Sequence, residues 1–292
     1  MNSDNILNND LKILVNVYKQ NYQNAPGGGI GDFIRGCFFL LQISMINNKR
    51  FDIDYTKHPI SKYLYKKYNI IDESQINYDN VLYYYPDNDT NCNTQFFLNN
   101  FYEYLNNIKN NEFYFYSNNY PIYKITNVQK NIIKDKFIPN DELNEYINYN
   151  MKKLNILPYN FSVIHIRVND EIFENDVNIL NNKSLKQLIT TLKYIFYNKN
   201  NYKKNNYLLL SNSNSIKKIM KRIFPNLIIN LNNISHLGKS NDDNYIKDTL
   251  CDFFIMSKSN RIFSFSTYEH GTGFSKYCSI IFDIEYYFKL LV

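Results

Sequence analysis

Hydrophobic and polar positions along this chain follow two periods in turn, and their alternation predicts an α/β protein. Leu11–Val17 (LKILVNV) has the length and composition of a strand. The loop after it ends in Ala25-Pro26-Gly27-Gly28-Gly29. Apolar residues at 30, 33, 34, 37, 38, 41 and 45 then keep the 3.6-residue helical period. Phe51–Tyr55 reads as the next strand, so the chain opens with the strand–loop–helix–strand unit of a parallel sheet. From 60 to 150 the pattern is sparser. It gives short strands at Val81–Tyr85 and Phe113–Tyr116, and helices at Phe96–Ile108 and over 141–153.

The second half alternates more regularly. Strands are predicted at Ser162–Arg167, Tyr207–Leu210, Leu227–Ile229, Arg261–Phe265 and Ile280–Ile284. Helices are predicted over 184–197, 214–223, 243–257 and 272–278. Such β-α alternation makes a doubly wound parallel sheet. The whole chain then divides into two Rossmann-like domains, 1–155 and 156–292, with the turn-forming stretch Leu157-Pro158-Tyr159-Asn160 just after the break.

Composition narrows the function classes. A chain of 292 residues with 44% hydrophobic residues can bury the cores that two such domains need. The net charge of +6 favours anionic ligands. The lysines are nevertheless scattered rather than gathered into the basic stripe of a nucleic-acid binder. The densest cluster, Lys217, Lys218, Lys221 and Arg222, reads as the solvated face of one helix. None of the four cysteines has a CxxC partner or a histidine at metal-ligand spacing, so neither a metal site nor a cofactor is expected. Cys37 and Cys251 fall on apolar helix faces, as reduced thiols of a cytoplasmic protein would. The polar first ten residues carry no signal-peptide pattern, and no apolar run approaches the ~20 residues of a membrane span. His58 and His236 have no companions that suggest a role.

The segment Gly27–Gly36 holds five of the eight glycines. Glycines admit positive φ and let a bulky ligand approach the backbone. The helix that follows offers free N–H groups and a positive dipole end, and together these suit an anion. Two familiar motifs fail here. Ile34 stands where GxGxxG needs its third glycine, and Cys37-Phe38 replace the Lys-Ser/Thr of a P-loop. Arg35 in the first turns opposes the helix dipole, which a bound anion or an i,i+3 pair with Asp32 would relieve.

In the strand ending at Arg167, Val163, His165 and Arg167 share one face, while Ile164 and Ile166 share the other. His165 and Arg167 fall at the strand's carboxyl end, where open α/β sheets bind ligands. Arg167 offers a planar donor fork suited to phosphate. Asp170, Glu171, Glu174 and Asp176 follow, and any of these carboxylates suits a general base. Ser211-Asn212-Ser213 and the stretch Ser264–Ser275 are hydroxyl-rich turns between strand and helix that can hold phosphate or ribose. In the second stretch Glu269 and His270 are further polar candidates.

The order of these motifs resembles the fucosyltransferase-like GT-B glycosyltransferases, which include the α1,2-, α1,6- and protein O-fucosyltransferases. Gly28-Gly29-Ile30-Gly31-Asp32 is similar to their GGxGN loop. His165-Ile166-Arg167-Val168-Asn169-Asp170 is similar to their HxRRxD motif, and Leu210-Ser211-Asn212-Ser213 to the patch that follows. Asp248, Asp252, Ser257 and Phe263–Thr267, leading to Gly273-Phe274-Ser275, match the last motif region. The resemblance implies a GT-B fold, a GDP-fucose donor gripped at its β-phosphate by Arg167, and inverting transfer to a glycan or protein hydroxyl without a metal ion. The donor-binding residues would be Gly29, Gly31, Arg35, His165, Arg167, Ser211, Ser264, Ser266, Thr267, Gly273 and Phe274. Asp170, Glu171 and Asp32 are the candidate bases. Val168 stands in place of the motif's second arginine. The alternative is therefore a catalytically inactive relative that binds a nucleotide or glycan.

Overall fold

A computed structural model describes residues 13–22, 25–65, 76, 78, 81–84, 112–168, 180–197, 206–232 and 234–292. The first sheet contains β1 (Ile13–Val17), β4 (Arg50–Asp54), β5 (Leu82–Tyr84) and β6 (Glu112–Ser117). Its order is β4-β1-β6-β5 and every pair is parallel. Two short strands, β2 (Asn21–Tyr22) and β3 (Ala25–Pro26), pair antiparallel in the loop after β1. The second sheet contains β7 (Phe161–Arg167), β8 (Asn206–Ser211), β9 (Ile228–Ile229), β10 (Arg261–Ser266) and β11 (Glu285–Leu290). Its order is β11-β10-β7-β8-β9, again parallel throughout. Growth reverses once in each sheet, between β1 and β6 and between β7 and β10. Connections part at such a switch point and leave a crevice at the strands' carboxyl ends.

Seven described helices cover the sheets: α1 (Ile30–Ile46), α2 (Asn127–Lys134), α3 (Asp141–Lys153), α4 (Asn182–Tyr197), α5 (Asn214–Ile223), α6 (Asp243–Met256) and α7 (Gly273–Phe282). α1 packs on α7, α2 also packs on α7, and α3 packs on α6. One apolar cluster therefore runs from Val15, Phe33 and Phe38 in the first half to Phe253, Ile262 and Ile281 in the second. A separate cluster joins Ile164, Ile166 and Val168 of the β7 region to Leu188, Leu192, Ile216 and Met220. The alternation along β7 thus serves two cores, one on each face of the sheet.

α1 is buried around almost its whole circumference, because it lies between the first sheet and α7. Met45, on the predicted apolar stripe, is 51% exposed because the helix runs past its neighbours there. The strand expected at Ile280–Ile284 is displaced. Ile280 and Ile281 form the last turns of α7, Asp283 ends the helix in the left-handed region at φ 54°, and the strand follows at Glu285–Leu290. A short β-branched run fits a buried helix end as well as a strand. α2 was not expected, although Thr126 and Gln129 close a capping box at its start. The helix expected at Phe96–Ile108 lies outside the described residues.

Polar contacts lock the halves together beside the shared core. Lys62 pairs with Asp243 at 2.5 Å, and the Gln20 amide donates to the Ser240 carbonyl. His58 is buried and stacks on Tyr18 with ring centroids 3.9 Å apart. Its Nδ1 accepts from the Ile60 N–H and its Nε2 lies 3.1 Å from the Leu237 carbonyl, an arrangement that holds the neutral ring with its proton on Nε2. Burial lowers its pKa to about 3, only partly offset by the Leu237 carbonyl.

Two outcomes are expected. A Cβ on Gly36 would lie 1.5 Å from the Ser117 carbonyl oxygen, so Gly36→Ala must push α1 off β6. Urea unfolding should show a loss of about 2 kcal/mol or more. The His58 pKa is lower folded than unfolded, so its stabilising contribution is complete above about pH 6.5 and is lost as pH falls towards about 3. In acid titrations of the midpoint, His58→Asn should decline less steeply over that window than the parent.

Candidate functional site

The glycine loop, the carboxyl ends of β7 and β8, the 234–237 loop and the start of α7 converge on one cavity of about 300 Å³. That volume lies at the lower end of the range typical for small-molecule sites. It opens at the switch point of the second sheet, where Ser264 is in register with His165 and Ser266 with Arg167.

Two backbones come close together at the site. A Cβ on Gly31 would lie 2.1 Å from the Gly273 carbonyl carbon, so the first turns of α1 and α7 touch where neither carries a side chain. Among the loop's glycines none has positive φ; of the described glycines only Gly271 does, at 75°. Close packing, rather than left-handed backbone, is what this loop needs from glycine.

Both helices begin at the cavity without a side-chain cap, α1 from Gly29 and α7 from Thr272. The other five described helices are each capped, by Thr126, Asn140, Asn181, Ser213 and Asp242. The free N–H groups of two helices, each with its positive dipole end, therefore face one space. Arg167 lines the same space, half-buried. Three sources of positive potential meet there, which suits a polyanion.

His165 lines the cavity, 5% exposed, and lies against the Phe274 ring at 5.6 Å. Burial first, and the neighbouring Arg167 charge second, lower its pKa to about 3. It is a neutral imidazole, and among the described residues its Nδ1 has no hydrogen-bond partner. Asn212 locks the end of β7: its side chain accepts from the Val168 N–H and donates to the Val168 carbonyl, both at 3.0 Å. Val168 itself is buried in the second core cluster. It occupies the face of β7 opposite His165 and Arg167.

Of the residues singled out from sequence, the cavity brings together Gly29, Gly31, Asp32, His165, Arg167, Ser211, Gly273 and Phe274. Four lie behind its wall. Arg35 pairs with Asp32 at 3.3 Å, donates to the Asn118 carbonyl and stacks over Tyr120 at 4.4 Å, so Asp32 relieves the conflict with the helix dipole. Ser264 is bonded to Ser275 at 3.0 Å, and Ser266 accepts from the Tyr268 N–H. Thr267 continues the strand by donating its N–H to the Arg167 carbonyl. Asp170, Glu171, Glu174 and Asp176 lie outside the described residues. Glu269 is exposed and is not among the lining residues, whereas His270 is.

Sequence reasoning gave no role to three residues at or beside this site. His236 lines it next to Gly29. Asp252 of α6 lines it while 3% exposed, and its Oδ1 has no hydrogen-bond partner among the described residues. Burial pushes the Asp252 pKa up to about 7. The Lys217 ammonium opposes that shift, as do the amides of Asn230 and Asn232, which lie beside the carboxyl but outside hydrogen-bond geometry. Lys217 was read as part of a solvated face, yet it is fully buried and donates to the Asn230 carbonyl at 2.7 Å. One signal was available: Lys217 sits next to Ile216 and three residues before Met220, at the edge of the buried stripe of α5.

No protein-family model and no curated protein matches the sequence. Solved structures do. The fucosyltransferase NodZ from Bradyrhizobium superposes with a TM-score of 0.56 at 11% identity, over 93% of this chain and 92% of that one. NodZ, described as an α-1,6-fucosyltransferase, has been co-crystallised with GDP and soaked with GDP-fucose. A variant of Arabidopsis thaliana FUT1 in complex with GDP superposes with a TM-score of 0.55 at 9% identity, over 95% of this chain and 70% of that one. Two parallel sheets facing a cleft, matched over nearly the whole chain at this level of identity, give the protein a divergent fucosyltransferase-like GT-B fold.

Proposed function

We propose that this chain is a glycosyltransferase that binds a guanosine diphosphate sugar, with fucose the sugar and a glycan or protein hydroxyl the acceptor. The observation that carries this reading is the convergence of the two uncapped helix N-termini with Arg167 on one cavity. A diphosphate would take its hydrogen bonds from these N–H groups and the guanidinium. Asp252 supports guanine as the base. Guanine presents two adjacent donors, N1–H and the N2 amino group, and a carboxylate can accept both. The fold relatives with GDP and GDP-fucose agree with this donor.

In the proposed reaction the acceptor hydroxyl attacks the anomeric carbon from the side opposite the diphosphate and inverts it. The hydroxyl proton passes to a carboxylate, for which Asp32 is placed at the cavity wall. The bond from the anomeric carbon to the β-phosphate oxygen breaks, and its electron pair leaves with GDP. Arg167 and the backbone N–H groups, set in place before the charge develops, stabilise that leaving group, and no metal ion is invoked. The first sheet, with the glycine loop, would form the acceptor side and the second sheet the nucleotide side.

The alternative of an inactive binding relative rested on Val168. Its side chain is packed into the second core cluster, so this departure does not remove a group from the cavity.

Incubation with GDP-fucose and a panel of glycan and peptide acceptors should release GDP. Binding without release would leave the inactive relative, and neither binding nor release with any nucleotide sugar would overturn the reading. Arg167→Ala should weaken GDP binding by about tenfold to a hundredfold in titration calorimetry, the effect of losing a charge-assisted phosphate contact. GDP affinity should also rise between about pH 6 and about pH 8, as Asp252 ionises through about 7. Asp252→Asn should bind GDP more weakly and lose that part of the pH dependence. A parallel pH profile in the two proteins would remove Asp252 from base recognition.

A further inference from the structure

We infer that His58 is a positioning residue for the cavity, which holds the 234–237 loop of the second half against the glycine loop of the first. The 234–237 loop supplies four residues of the cavity wall, Ile234, Ser235, His236 and Leu237. Its own half anchors it at Ser235, whose N–H donates to Thr249 Oγ1 of α6 at 3.1 Å. Further along, it is held from the other half. The Leu237 carbonyl lies 3.1 Å from His58 Nε2, and the Gln20 amide donates to the Ser240 carbonyl. Between these two bonds the backbones meet, since a Cβ on Gly238 would lie 1.9 Å from the Gly27 carbonyl oxygen.

His58 is itself fixed on two sides. Its Nδ1 accepts the Ile60 N–H at the start of the helical turn Pro59–Lys62. Its ring lies on Tyr18, which lies in turn on Phe33 of α1 with centroids 4.3 Å apart. The Tyr18 hydroxyl donates to the Gly28 carbonyl at 2.8 Å. One stack of rings therefore supports both loops of the cavity, His58 at Leu237 and Tyr18 at Gly28. The residue before Leu237 is His236. Its Nε2 and the Asp32 carboxylate both end within 3.8 Å of the point that a Cβ on Gly29 would occupy. Holding Leu237 thus sets His236 across Gly29 from Asp32. The His58–Leu237 bond is buried, whereas Gln20 and Ser240 are half-buried. Loss of the first leaves a carbonyl that water does not reach, and opening of the loop is the way to satisfy it.

Two substitutions separate this role from the cap that His58 provides. Asn carries its side-chain oxygen at about the reach of Nδ1, so His58→Asn keeps the cap and loses the Leu237 bond. Gln carries its amide nitrogen at about the reach of Nε2, so His58→Gln keeps a donor for Leu237. Both lose the stack on Tyr18, so the contrast between them isolates the bond to the loop.

Amide hydrogen exchange of the full chain, followed residue by residue, tests this without any ligand. The Lys239 and Ser240 N–H groups are bonded to the His236 carbonyl and report on the loop. In His58→Asn they should exchange at least about tenfold faster than in the parent, with α5 and β8 unchanged. In His58→Gln they should stay near the parent rate. GDP titration, which rests on the function proposed above, should follow the same order. His58→Asn should bind about tenfold more weakly, as when the closed loop is populated about one-tenth of the time, and His58→Gln should bind within about threefold of the parent. Parent-like exchange at Lys239 and Ser240 in His58→Asn overturns the inference. So does a His58→Gln chain no better than His58→Asn, or faster exchange spread evenly over both halves, which is a general loss of stability. A parent that binds no GDP overturns the proposed donor instead, and the exchange rates then decide the role of His58 by themselves.

Discussion

The contact between Gly31 and Gly273 is the constraint on which the rest of the site depends. Two helix starts meet there: a side chain on Gly31 would collide with the Gly273 backbone, and one on Gly273 would already be tight against Gly31 at 3.1 Å. One of these helices comes from the loop after β1, and the other follows β10. Their contact sets the spacing of the two halves and aims two sets of unbonded N–H groups into the space between them. The other described helices satisfy their first turn with a side chain. These two begin at the cavity with no side-chain cap, so their first N–H groups face the space where an anion would sit.

The polar groups of the cavity follow the same logic. Burying Asp252 and Lys217 together is costly, and an apolar pair of similar volume would pack at least as well. Asp252 nevertheless lies at the cavity with one carboxylate oxygen unbonded among the described residues, which is why the proposed function gives it the guanine base. His165 is different. Burial and the neighbouring Arg167 keep it neutral, so it adds shape and a hydrogen-bond acceptor without competing with Arg167 for charge. The division of labour is between a cationic wall of backbone N–H groups and one guanidinium, and an acidic group on a separate element.

The alternation of strand and helix was legible because burial imposes period 2 on β7 and period 3.6 on α4 and α5, and those periods survive in the sequence. The glycine loop was legible as a place where backbones come close. Its reason was misread, since the approach is to another helix and no positive φ is involved. Arg35 looked like a phosphate ligand because only its local chain was visible. Its partners Asn118 and Tyr120 lie more than eighty residues away and turn it from the cavity. His236 carried no motif, and Asp252, though it fell in the last motif region, was given no role at the site. Their importance comes from where α6 and the 234–237 loop dock, which no local spacing encodes.

What the sequence by itself determined is therefore the order of elements, the two-faced character of β7, and the clustering of glycine, arginine and hydroxyl residues at strand ends. Each depends on the chemistry of near neighbours along the chain. Only the tertiary structure decided which of those residues share a cavity. It turned Ser264, Ser266, Thr267 and Arg35 into wall supports, and it brought in Asp252 and His236. It also joined the two sheets through one continuous core across α1 and α7. A side chain's role depends on what lies across from it, and that is set by long-range packing of surfaces whose shapes a linear pattern does not contain.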